Sequence, residues 1–102
     1  ILKTYSNTNP IRFQLYQNYP NPFNPLTTIR YDLPSELAVN ATIFDMIGNQ
    51  VLILVENIQS PGVKYIQWNG QDPYGKQVGS GIYFIKIEAG QYTAIKKMMF
   101  LK

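Results

Sequence analysis

Short β-prone segments recur along the whole sequence, each stopped by a Gly, Pro or Asn turn signal, and no stretch carries a helical period. Residues 11–16 alternate and read as a first, edge strand. Residues 27–33 place Ile29, Tyr31 and Leu33 on one face and Thr28, Arg30 and Asp32 on the other. Residues 38–46 direct Val39, Ala41 and Ile43 inward, and Gly48-Asn49 supplies the positive-φ positions of a hairpin into residues 50–56. Within 50–56 the run Val51-Leu52-Ile53-Leu54-Val55 is apolar on both faces, the pattern of a covered strand. Ser60-Pro61-Gly62 matches a type II turn and Asp72-Pro73-Tyr74-Gly75 a type I turn, and the strand over 63–69 between them carries Trp68. Residues 82–89 put Tyr83, Ile85, Ile87 and Ala89 on one side, Gly90 turns the chain back, and residues 92–101 close it. Seven such strands predict an all-β fold, an antiparallel sandwich or barrel.

Composition narrows what this fold can do. The 102 residues suit one domain, and eight Tyr and five Phe against very few Ala favour strands. Cysteine and histidine are both absent, which removes thiol nucleophiles, disulfides, Cys/His zinc sites and the usual general base. No catalytic residue, cofactor or metal is expected. Asp45 and Asp72 stand beside turns, far apart, and read as turn residues rather than calcium ligands. Apolar runs reach about five residues where a membrane-spanning helix needs roughly 20, so no transmembrane segment is expected. The net charge of +3 sits at one end, where Lys86, Lys96, Lys97 and Lys102 face Glu88. Nucleic-acid binders carry a denser basic face, and no nucleic-acid partner is expected. The chain begins at Ile1 with no leader pattern and reads as a module cut from a longer precursor. Residues 1–10, rich in Asn, Thr and Ser, read as a linker from a preceding domain, and residues 11–102 as the module.

Two segments stand apart. In Asn18-Tyr19-Pro20-Asn21-Pro22-Phe23-Asn24-Pro25 three prolines each remove a ladder donor and fix φ, giving a stiff loop with one large apolar anchor, Phe23. Phe23 is expected to plug one end of the sandwich. Trp68 is expected in the core, with Gly79 and Gly81 allowing a close backbone approach beside its ring. In the last strand Lys96 and Met98 share a face with Tyr92, Ala94 and Phe100, and Lys97 and Met99 share the other with Ile95 and Leu101. Lysines on both faces mark an edge strand, where charge discourages uncontrolled pairing.

Taken together, these segments resemble the type IX secretion C-terminal sorting domain (type A). The likeness runs through residues 15–25, through Thr28-Ile29-Arg30-Tyr31-Asp32-Leu33-Pro34, and through residues 43–51 around Gly48. It continues in Trp68-Asn69-Gly70, Gly75, Ser80-Gly81-Ile82-Tyr83-Phe84 and Lys96-Lys97-Met98-Met99-Phe100-Leu101-Lys102. Phe44 stands where the family usually has Tyr, and Asn69 where Asp is often found. The resemblance implies an Ig-like sandwich and a non-catalytic signal that directs a larger exported protein through the type IX machinery to the cell surface or medium. The implied partners are the outer-membrane translocon and its shuttle protein, a sortase-like cysteine protease, and the upstream cargo domain of the same precursor. The implied route crosses the periplasm and outer membrane. Under this reading the machinery recognises Lys96, Lys97, Met98, Met99, Phe100, Leu101 and Lys102, through strand addition helped by charge. A related Ig-like module occurs in flagellar hook-capping proteins. The alternatives are therefore a structural module of that kind or an adhesion module with Tyr16, Tyr74 or Tyr92 stacking on glycans.

Overall fold

The computed structural model describes residues 9–102, so the expected linker over 1–10 lies, apart from Asn9 and Pro10, outside the described residues. Seven strands are present there: β1 (Gln14–Leu15), β2 (Thr27–Leu33), β3 (Leu37–Asp45), β4 (Gln50–Gln59), β5 (Gly62–Trp68), β6 (Gly81–Ala89) and β7 (Tyr92–Phe100). They form two antiparallel sheets, one ordered β1-β2-β5 and the other β4-β3-β6-β7. This is the all-β antiparallel sandwich that the pattern of short strands allows, and the Ig-like class that the resemblance implies. No helix among the described residues is long and apolar enough to cross a membrane.

The core follows from period-two alternation. Ile29, Tyr31 and Leu33 of β2, Val39, Ala41 and Ile43 of β3, and Tyr83, Ile85, Ile87 and Ala89 of β6 are all buried in one cluster, joined by Met98 and Phe100 of β7. Each large apolar side chain so enclosed stabilises the fold by roughly 1.5–3 kcal/mol. Tyr31 also reaches across the sandwich, its hydroxyl donating to the side-chain oxygen of Gln59 at the end of β4.

Three local expectations change. The first strand shrinks to Gln14–Leu15, because Ile11 is solvent-exposed and Phe13 turns away to stack on Tyr92 of β7, with centroids 5.4 Å apart. β4 is one of the two edge strands of the larger sheet rather than a covered one. Its pairing with β3 skips Leu54 and Val51, and these two bulges set Val51-Leu52 and Leu54-Val55 half-buried against the core. The unbroken apolar run is thus the signature of interrupted alternation, not of burial on two faces. In the β3–β4 hairpin Gly48 has φ +92°, and Asn49 stays at negative φ.

Candidate functional site

The Asn-Pro loop and the end of β7 meet at one corner of the sandwich. Prolines 20, 22 and 25 leave the loop few backbone donors, so side chains organise it. Asn18 is buried. Its Nδ2 donates to the Pro20 carbonyl (3.1 Å) and to Thr27 Oγ1 (2.9 Å), and the Thr27 hydroxyl donates to that same carbonyl (2.9 Å). Tyr19 exchanges both backbone hydrogen bonds with Thr28 at 2.9 Å, tying the start of the loop to β2. Asn21, Pro22, Asn24 and Pro25 stay exposed.

Phe23 turns the loop into a plug. It is buried against Phe100 (centroids 5.0 Å apart) and Trp68 (5.6 Å). Trp68 meets Tyr83 edge-on at 5.3 Å and donates its indole N–H to the Gln71 carbonyl (2.9 Å), while the Tyr83 hydroxyl donates to Gly79 (2.7 Å). The close backbone approach to this aromatic box belongs to Gly70. At φ +74°, a Cβ there would lie 3.0 Å from the Phe100 ring. Gly79 and Gly81 have open space around them, which corrects the expectation for those two. Gly81 is required for its backbone, at φ +154°.

Among the terminal residues, alternation separates two groups. Met98 and Phe100 are fully buried core, Lys96 is half-buried, and Lys97, Met99, Leu101 and Lys102 are exposed. β7 is an edge strand, as expected, yet its edge is not bare. Phe23 N–H donates to the Met99 carbonyl (3.0 Å) and Leu101 N–H to the Phe23 carbonyl (3.1 Å). Met99 N–H donates to Asn21 Oδ1 (2.9 Å), and Gln17 Nε2 donates both to the Lys97 carbonyl (2.6 Å) and to Asn18 Oδ1 (2.7 Å). The loop therefore occupies the backbone positions that strand addition to Lys97–Leu101 needs. Lys102 N–H donates to Ser80 Oγ (2.8 Å), fixing the segment beyond the strand.

The acids serve structure. Asp45 Oδ1 accepts from the N–H groups of Ile47 and Asn49 (3.1 and 2.8 Å), and Asp72 Oδ1 does the same for Tyr74 and Lys76 (2.9 and 3.0 Å). Gly48 and Gly75 each donate to the carbonyl of their Asp, so one turn design is used twice. On the outer face of the smaller sheet, Asp32 accepts from the Tyr16 hydroxyl (2.7 Å) and pairs with Arg30 (3.1 Å), whose guanidinium lies 4.3 Å over the Tyr16 ring. The bond to Asp32 raises the Tyr16 phenol above its ordinary range, and desolvation and the carboxylate charge add to this. With Arg30 over Tyr16 and Phe13 on Tyr92, Tyr74 is the one ring of the three proposed for glycans with no stacking partner among the described residues. Sequence reading missed Gln17 as a clamp. Its sole signal is its place beside Asn18.

The family model for the secretion system C-terminal sorting domain matches residues 17–101. No curated protein matches the chain. Among solved structures, one similar chain is PorZ, an essential bacterial surface component of the type-IX secretion system of Porphyromonas gingivalis. It is 20% identical with a TM-score of 0.62, over 86% of this chain and 11% of that one. Another is dimeric latent PorU from the same organism, 26% identical with a TM-score of 0.69, over 85% of this chain and 9% of that one. The chain thus spans a small part of both solved proteins.

Proposed function

The chain belongs to the secretion system C-terminal sorting domain family, the sorting signal of type IX export, and from that premise we propose that its terminal segment, residues 96–102, is what the machinery recognises. The family is non-catalytic in general, and we read this chain likewise as a signal and not an enzyme. The supporting observation is the division within the segment: Met98 and Phe100 lock it into the core while Lys97, Met99, Leu101 and Lys102 are held outward. A recognition tag needs both anchorage and display. The partners in this reading are the outer-membrane translocon and its shuttle protein, a sortase-like cysteine protease that trims the domain, and an upstream cargo domain. Cargo would pass through the periplasm and outer membrane to the surface or medium.

The test is fusion of a passive reporter ahead of the chain in a type IX-competent host. Deleting 96–102 would also remove two core side chains, so the informative variant combines Lys97→Gln, Met99→Gln and Lys102→Gln. Export of the parent fusion and its loss in this variant, with unchanged urea midpoints, is the expected result. Equal export of both would refute recognition through the terminal side chains. A parent fusion that stays in the cell would remove the sorting role itself.

A further inference from the structure

One end of the outer face of the four-stranded sheet is apolar where a free surface is ordinarily polar, while Asn40, Thr42, Glu88 and Thr93 occupy the other. Phe44 of β3 lies directly opposite Phe84 of β6, Phe84 opposite Lys97 of β7, Lys86 opposite Ile95, and Ile82 opposite Met99. The inward positions of these strands are taken by the core, so this second set points out. Ile95 is 56% and Met99 38% exposed, and Phe44, Phe84, Lys86 and Ile95 line one shallow hollow. The terminal segment forms one border of this face. Its free edge over Lys97–Leu101 is already paired with the Asn-Pro loop, which leaves side chains, not backbone, available for reading.

We propose that this face, centred on Phe84 and Ile95 and flanked by Lys86 and Lys97, docks onto an apolar protein surface that carries carboxylates. The proposal rests on the sorting reading and specifies what recognition touches. Charge selects the occupant. Lys97 has no acidic partner among the described residues, and Lys86 is held 3.2 Å from Glu88 in a pair exposed enough to open. A second copy brings lysines to this face together with two acids that are already engaged, Glu88 with Lys86 and Asp45, which also lines the hollow, with the N–H groups of its own turn. An anionic lipid surface is ordinarily recognised by clusters of four to eight basic residues, and this face carries two. A partner with acids around an apolar centre satisfies both the rings and the ammonium groups.

Variants outside residues 96–102 separate this proposal from the one it rests on. In the reporter fusion, Ile95→Glu and Lys86→Glu should each cut export by about tenfold or more. Tyr65→Ser, on the outer face of the other sheet, should leave it unchanged. If Ile95→Glu lowers the urea midpoint of the purified chain, Lys86→Glu decides. Export of the parent together with normal export of Lys86→Glu would overturn the docking face and leave the sorting role standing. Retention of the parent fusion in the cell would overturn the sorting role, and the docking face with it. Co-sedimentation of the chain with phosphatidylcholine–phosphatidylglycerol vesicles, or a dimer dispersed by Ile95→Glu, would overturn an acidic partner protein as the occupant.

Discussion

Asn18 and Phe23 divide the work of the loop between a polar and an apolar anchor. Asn18 satisfies a carbonyl inside the bend, where an unpaired group would cost about 1–3 kcal/mol. Phe23 fills the space between Trp68 and Phe100. Phe23→Ala should therefore destabilise the chain by about 3–5 kcal/mol in urea unfolding, since its neighbours are large rings with little freedom to collapse into the void. A change below about 1 kcal/mol would place Phe23 outside the core. Phe23 was legible in the sequence because a single large apolar residue among prolines has few roles. Gly70 stood out in the Trp68-Asn69-Gly70 motif, but its close approach to Phe100 and the clamp made by Gln17 did not, because each depends on a strand, about 30 and 80 residues away respectively.

Along β7 the two halves of the outer edge differ. The backbone groups of Met99 and Leu101 that point away from β6 are bonded to the loop, whereas those of Thr93 and Ile95 have no partner among the described residues. Amide exchange should show it: slow at Met99 and Leu101, fast at Thr93 and Ile95. Asn21→Ala should speed Met99 roughly fivefold, the value of about 1 kcal/mol, and leave Ile95 unaltered. Equal rates at Met99 and Ile95 in the parent chain would show that the loop is not seated on the strand. Strands β2, β3 and β6 could be read from alternation because one face of each is wholly enclosed. β4 misled because two bulges pair apolar neighbours and imitate a covered strand. β1 misled because Phe13 packs on the opposite sheet.

Taken whole, the molecule holds no histidine or cysteine, so no side chain titrates between the carboxylates and the amines and phenols. Stability should stay level from about pH 6 to 9. Burial raises the Tyr31 and Tyr83 phenols above their ordinary range, with the charge of Asp45 adding at Tyr83. Their contribution is present in full below about pH 10 and is lost as pH climbs through the folded-state values, because the unfolded chain ionises first. Urea midpoints measured from pH 5 to 11 should trace a plateau and an alkaline decline, shallower in Tyr31→Phe; a decline already under way at pH 8 would contradict this. The pairing of Asn21 with Met99 joins residues 78 positions apart, and the parallel bridge of Phe23 to Phe100 closes over nearly the same span. A ribosome translating this chain releases the loop long before the strand it seals. The aromatic box stays unfinished until residue 101 has emerged, so a nascent sorting domain remains open to other binders for nearly the whole of its own synthesis.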